Sequence, residues 1–315
     1  MLRARTYQED IAGLDMTDRY ISVARLVMNG RNRIVLCNAG WVEVDPDATD
    51  HERALAIRRL WKQCGLSTYT VCSCFRSRKL LTRRFDFPGS SVGELNALLQ
   101  TELTDLLGAG HAPYFLDWHL DADSVAGSEN CRGLFVAAPQ VDVDRHLALL
   151  NLAGLYPAVL DIASTSIANL YLELNGPPDE GETIGLVNLS DHSADVALLS
   201  GGPQLHAYTA ISLSEPWENN LDYLAGNVRD LLEYARHKLH WQSVDRLLFT
   251  GREIPLDFIR ERLGLEGLLE TWDPSVQLSS RIRSRKSRHQ LSEQQGQLLT
   301  TSLGAALRRV NHAAV

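Results

Sequence analysis

The chain has 315 residues, a formal net charge of −8, 44% hydrophobic residues and 22% charged residues. That is enough chain for two lobes with sizeable cores, and its acidity excludes a surface built to wrap nucleic acid. No apolar run approaches the ~20 residues of a membrane-spanning helix. Met1 to Asp10 is polar, with two arginines and no apolar stretch behind them, unlike a signal peptide. The expectation is a cytoplasmic protein whose membrane contact is peripheral or made through a partner.

In chain order, Ile11–Met16, Tyr20–Met28 and Arg33–Val44 read as a strand meander, with Asn29-Gly30 as a hairpin turn. Thr49-Asp50 caps a helix over His51–Cys64 that Gly65 ends. Thr68–Phe75 is a β-branched strand. A separate rhythm follows: strand Leu80–Phe85, helix Val92–Leu107, strands Tyr114–Leu120 and Cys131–Ala138, helix Val141–Leu152. This βαββα unit, 79–154, reads as a small inserted subdomain, with 1–78 and 155–180 belonging to the first lobe. Strand Ala158–Asp161 and helix Ser164–Leu174 lead into the linker Asn175–Gly181. The second lobe, 181–315, begins with a new meander: Thr183–Leu189, Ala194–Leu199 and Gln204–Ile211. A long helix from about Pro216 to His240, strand Arg246–Thr250, helix Ile254–Leu263 and a last helix Gln297–Val310 complete it, the last returning to the first lobe.

Several constellations carry little chemistry. Five cysteines at irregular spacing (Cys37, Cys64, Cys72, Cys74 and Cys131) lack a zinc pattern and read as small hydrophobes in a reducing compartment. His237 and His240 share a helix face, with Glu233 as a simple helix-face neighbour. Arg281–His289 is the one basic cluster. It reads either as a solvated loop or as a contact for anionic lipid headgroups, and it lacks the interleaved aromatics of a single-stranded nucleic-acid site. No nucleophile elbow, Walker loop or dinucleotide fingerprint is present.

Three strands then a helix occur at both 11–64 and 183–240, as a duplicated fold would produce. The words within that echo carry a resemblance. Gly13-Leu-Asp-Met-Thr-Asp-Arg-Tyr-Ile-Ser22 resembles the first phosphate loop of actin-like proteins, Val187-Asn-Leu-Ser-Asp-His-Ser-Ala-Asp195 sits where their second would be, and Leu248-Phe-Thr-Gly251 is similar to their adenosine motif. Four longer stretches resemble the PilM family of type IV pilus assembly proteins: Leu134–Ala138, Ala153–Asp161, Asn227–Ala235 and Thr300–Arg308, in order along nearly the whole chain. The fold this resemblance implies is α/β, an actin-like ATPase fold of duplicated ribonuclease-H-like lobes with the βαββα unit inserted, as in the cell-division protein FtsA.

In such loops two hairpins offer backbone N–H groups to phosphates, glycine permits close approach, and a carboxylate holds Mg²⁺ through water. The resemblance places ATP with Mg²⁺ against Asp15, Thr17, Asp18, Arg19, Asn188, Ser190, Asp191, Thr250 and Gly251, with Asp15 as the metal's ligand. The loops depart from the family pattern. Thr17 and Ser190 replace glycines, Asp18 and Asp191 add acids beside the phosphates, Asn188 replaces an aspartate, Ser22 replaces a lysine, and Arg252 follows the single glycine of the adenosine motif. Like charges at 4 Å repel by roughly 1–4 kcal/mol depending on the dielectric. The pattern predicts an eroded nucleotide site, with Asp15 either a metal-water ligand or a turn cap and Arg19 a possible counter-charge.

Family resemblance implies a scaffold that binds the cytoplasmic N-terminal peptide of the inner-membrane protein PilN, in a groove between the first lobe and the inserted subdomain, and that communicates with the pilus motor ATPases. Nucleic acid is not among the expected partners. Two alternatives stay open: an active actin-like ATPase, and a GspL-like cytoplasmic scaffold of type II secretion. The latter ranks lower because that family continues into a membrane span.

Overall fold

A computed structural model describes residues 11–28, 34–121, 124–129, 131–201, 204–213, 219–238, 244–253, 255–264, 268–281 and 296–308. The meander is β1 (Ala12–Met16), β2 (Tyr20–Met28) and β3 (Ile34–Glu43). Then come α1 (Asp50–Cys64) and β4 (Thr70–Phe75). Next are β5 (Leu81–Asp86), α2 (Val92–Leu107), β6 (Tyr114–Leu120), β7 (Arg132–Pro139) and α3 (Gln140–Ala153). β8 (Tyr156–Ile162) and α4 (Ala163–Asn175) precede the second meander, β9 (Thr183–Leu189), β10 (Ser193–Ser200) and β11 (Gln204–Ser212). The chain continues through α5 (Leu221–Lys238), β12 (Arg246–Gly251), α6 (Leu256–Leu263), β13 (Leu268–Thr271), α7 (Pro274–Arg281) and α8 (Thr300–Ala306).

The two large sheets have one topology. Their strand orders are β3-β2-β1-β4-β8 and β11-β10-β9-β12-β13, and β5-β7-β6 forms a third, smaller sheet. In each large sheet the first strand of the meander pairs antiparallel with the second and parallel with the strand after the crossover. The echo in the sequence is thus an echo in hydrogen bonding. β9 is buried along its whole length, which is why it reads as a nearly continuous apolar run.

The layers follow from which face each strand turns inward. Leu14, Ile21 and Val23 meet Ile57 and Leu60 of α1 and Leu150 of α3 on the outer face of the first sheet. Val187, Leu189 and Phe249 meet α5 and α6 on the outer face of the second. Between the sheets, Ile167 and Leu170 of α4 and Leu303 of α8 join Leu26, Leu186 and Leu199 in one core. Phe85, Leu95, Leu99 and Phe135 form the separate core of the inserted unit. Local signals set the helix ends. Thr49 with Glu52 and Ser91 with Glu94 both close capping boxes, and Gly65 ends α1 in the left-handed conformation at φ 64°.

The expected helix from Pro216 begins at Leu221, and 214–218 and 239–243 lie outside the described residues, His240 among them. α6 starts at Leu256 because Pro255 stands at its N-cap. The expected last helix Gln297–Val310 is broken by a turn at Leu298-Leu299, and 309–315 are outside the described residues. β13 and α7 were not anticipated: four residues of strand and eight of helix are too short for periodicity to mark. The Asn29-Gly30 turn is also outside the described residues, as is the basic cluster beyond Arg281, which ends α7.

Candidate functional site

The ends of β1 and β9 and the turns that follow them meet at the mouth of a cleft of about 590 Å³. Asp15, one residue before the end of β1, is wholly buried and paired in register with Ser22; Asn188 on β9 is paired with Asp195. Each lobe therefore turns one carboxylate inward at equivalent register positions, but from opposite strands of its hairpin.

Thr17 and Ser190 perform the same local task. The Thr17 amide donates to the Tyr20 carbonyl at 2.9 Å, and its hydroxyl donates to the same oxygen and accepts from the Arg19 and Tyr20 amides. The Ser190 amide donates to the Ser193 carbonyl at 2.8 Å, and its hydroxyl reaches both the carbonyl and the hydroxyl of Ser193. Hydroxyls in place of glycine thus tie both turns shut. Asp18 and Arg19 are exposed at the first turn. The Asp18 carbonyl accepts from Arg53, which also holds the Thr17 carbonyl.

A residue absent from the sequence-derived set dominates the site. Arg76, just past β4, donates from Nε to Asp15 Oδ1 at 3.1 Å and from Nη2 to Asp15 Oδ2 at 3.2 Å. Its Nη1 crosses the cleft to Asp195 Oδ2. Burial works against the guanidinium's charge, but Asp15 and Asp195 outweigh it and hold its pKa well above the ordinary value. Burial raises the Asp195 pKa, and Arg76 offsets part of that rise. The compensating cation is therefore Arg76 rather than Arg19, whose side chain makes no ion pair among the described residues. Its only sequence signal was an arginine placed directly after a buried apolar strand.

At the end of β12, beside β9, Gly251 has φ 89°, and a Cβ there would lie 2.1 Å from the Leu189 carbonyl, so only glycine fits. Arg252 next to it ion-pairs with Asp191 at 3.1 Å and lies 5.4 Å from the centroid of the Tyr20 ring. Burial, then the nearby Asp15 carboxylate, push the Tyr20 phenol's pKa up. Beneath both hairpins α8 presents three consecutive hydroxyls. Thr300 bonds Thr250 at 2.7 Å, Thr301 accepts from Asn188 at 3.0 Å, and Ser302 accepts from Ser22 at 3.2 Å.

No family model and no curated protein matches the sequence. Among solved structures, a chain of the PilM–PilN type IV pilus biogenesis complex is similar at a TM-score of 0.79 and 19% identity, over 96% of this chain and 99% of that one. A Bacteroides thetaiotaomicron protein with an actin-like ATPase fold and unknown function aligns at a TM-score of 0.51 and 10% identity, over 89% of this chain and 98% of that one. The protein has the actin-like ATPase fold. Its likeness to PilM, first visible in short motifs, thus extends to the arrangement of the whole chain.

An actin-like ATPase fold implies a metal-bound nucleotide between its hairpins. In this structure the groups that would meet one are held by the chain's own side chains. Both oxygens of Asp15, the buried carboxylate of the first hairpin, accept from Arg76, whose guanidinium bridges the two hairpins. Asp191 is engaged by Arg252, and Asn188, Thr250 and Ser22 are engaged by α8. Among the described residues no group of three or more His, Cys, Asp or Glu is placed to hold a metal ion, and no helix is long and apolar enough to cross a membrane.

Proposed function

We propose that the protein is a cytoplasmic scaffold of a type IV pilus assembly complex. In this reading it binds the cytoplasmic N-terminal peptide of a PilN-like inner-membrane protein, and its nucleotide site has lost its ligand. The observation that carries the reading is the end-to-end likeness to a chain of the PilM–PilN complex. The site's internal ion pairs support the loss of nucleotide, and the protein would reach the inner membrane through its partner. The cleft supplies a seat for an extended peptide. Its walls come from the first turn of α1 (Asp50, Arg53), from α3 (Arg145, His146) and from the segment that enters the inserted unit (Arg78, Lys79). Arg78 and Lys79 are exposed and make no ion pair among the described residues, so they suit an acidic or carbonyl-rich peptide backbone.

The direct test is calorimetric titration with the cytoplasmic N-terminal tail of a PilN-like single-span inner-membrane protein from the same organism. Binding should weaken at least fivefold in the double variant Arg78→Glu/Lys79→Glu, and no binding to that tail would overturn the reading. One observation favours a second reading, an active ATPase: the first phosphate loop keeps its aspartate, Asp15, near the end of β1. Phosphate release abolished by Asp15→Ala would establish it.

A further inference from the structure

We infer that Arg76 is a built-in latch: its guanidinium takes the place of a bound cation and holds the two lobes closed with no ligand present. The inference rests on the reading of the nucleotide site as filled, and not on the identity of the partner.

The argument starts from the two carboxylates. Asp15 and Asp195 are 0% and 4% exposed and come from different lobes, so neither is solvated where it stands. Brought together alone, they would repel across a poorly screened gap. Arg76 removes that conflict by geometry as well as charge. Its fork matches both oxygens of Asp15, which fixes the plane of the guanidinium, and the remaining nitrogen is then aimed at Asp195 across the cleft. Closure therefore needs no incoming ion, because the cation is already attached to the first lobe.

A second arginine acts in the other direction. Arg252, just past β12 on the second lobe, is held by Asp191 of the β9–β10 turn and faces the ring of Tyr20 on the first lobe. Each lobe thus sends one arginine to the other. An actin-like fold that opens and closes with nucleotide needs this seam free. Here it is tied by the chain's own side chains, so a groove built on the closed form would be permanently available to a partner.

The test is amide hydrogen exchange on the full chain, read over 15–22 and 189–195, with α2 as the internal reference. In Arg76→Ala, exchange over both hairpins should rise at least fivefold while α2 is unchanged; a smaller rise overturns the latch. Asp195→Ala removes the crossing arm together with Asp195's bond to Asn188 and leaves the fork on Asp15 intact, so its effect is read over 15–22. It should give the same fivefold rise, and it decides the matter if Arg76→Ala does not fold. A separate arm adds millimolar Mg²⁺-ATP to the unaltered protein. No change is expected. Slowed exchange at the hairpins would mean that nucleotide enters, which refutes the filled site itself, whereas a fast-exchanging Arg76→Ala with an inert wild type upholds both.

Discussion

Gly304 in α8 offers a test in which two effects have opposite signs. Replacing a helix-interior glycine with alanine removes backbone freedom from the unfolded chain, and alone should stabilise by about 1 kcal/mol. A Cβ on Gly304 would, however, stand 2.0 Å from the Ser166 carbonyl oxygen and 2.5 Å from its carbon. Both are backbone atoms of α4, so no side chain can turn aside, and ordinary contact begins at 3.4 Å. The helix cannot retreat freely, because Gly13 on β1 already leaves only glycine's space against the Ser302 carbonyl, with a 2.0 Å approach for any Cβ. A shift of α8 by about an ångström would also stretch its bonds to Thr250 and Asn188, each worth ~1 kcal/mol. Overpacking of about 1–3 kcal/mol plus those bonds outweighs the propensity gain. We expect Gly304→Ala to lose about 3 kcal/mol in urea unfolding followed by circular dichroism. Gly226→Ala in α5, where a Cβ meets nothing within 4 Å, is the control and should gain up to about 1 kcal/mol. If Gly304→Ala is neutral or stabilising, α8 is not wedged between α4 and β1 as described.

Arg308→Ala should destabilise by about 3–5 kcal/mol, because Asp161, buried and bonded also to Thr165 and Ser166, would keep its charge without its cation. Burial disfavours the Asp161 charge but Arg308 and these hydroxyls prevail and lower its pKa, so this support is complete at neutral pH and fades as pH falls through the depressed value. His146, against Ser73 and Phe75, is held down to about 4 by burial. Its neutral form is favoured on folding, so stability is full above the usual histidine range and falls between about pH 6.5 and 4, by up to roughly 3 kcal/mol. His146→Gln should flatten that part of the pH–stability curve, and an unchanged curve would contradict the burial. Burial raises the thiol pKa of Cys72 and Cys74, and of Cys64 to about 11. Under native conditions at pH 8 these three should resist Ellman's reagent, reacting only after denaturation, and prompt labelling would refute their placement.

Much of this fold is legible one element at a time. The capping boxes at Thr49 and Ser91, the left-handed Gly65, the alternating strands and the repeated meander are local, and each acts within a few residues. The repeat also revealed that β1–β2 and β9–β10 occupy equivalent places, and the resemblance to actin-like phosphate loops implied where a ligand site would lie. What the loops do there was less legible. Thr17 and Ser190 read as lost glycines, and only the folded turns reveal that their hydroxyls bond within their own turns. The short β13 and α7 carry too few residues for a pattern, and their identity depends on pairing with β12 and packing near α4.

By itself, then, the chain's pattern of apolar spacing, turns and caps determined a duplicated α/β architecture with an inserted unit, because such signals are short-range and additive. The character of the cleft was decided only by tertiary structure. Arg76 is 61 residues from Asp15 and 119 from Asp195, and nothing in any local window links the three. They become one ion-paired cluster because two sheets converge with buried carboxylates face to face, and a charge in that position must find its counter-charge wherever the chain provides one.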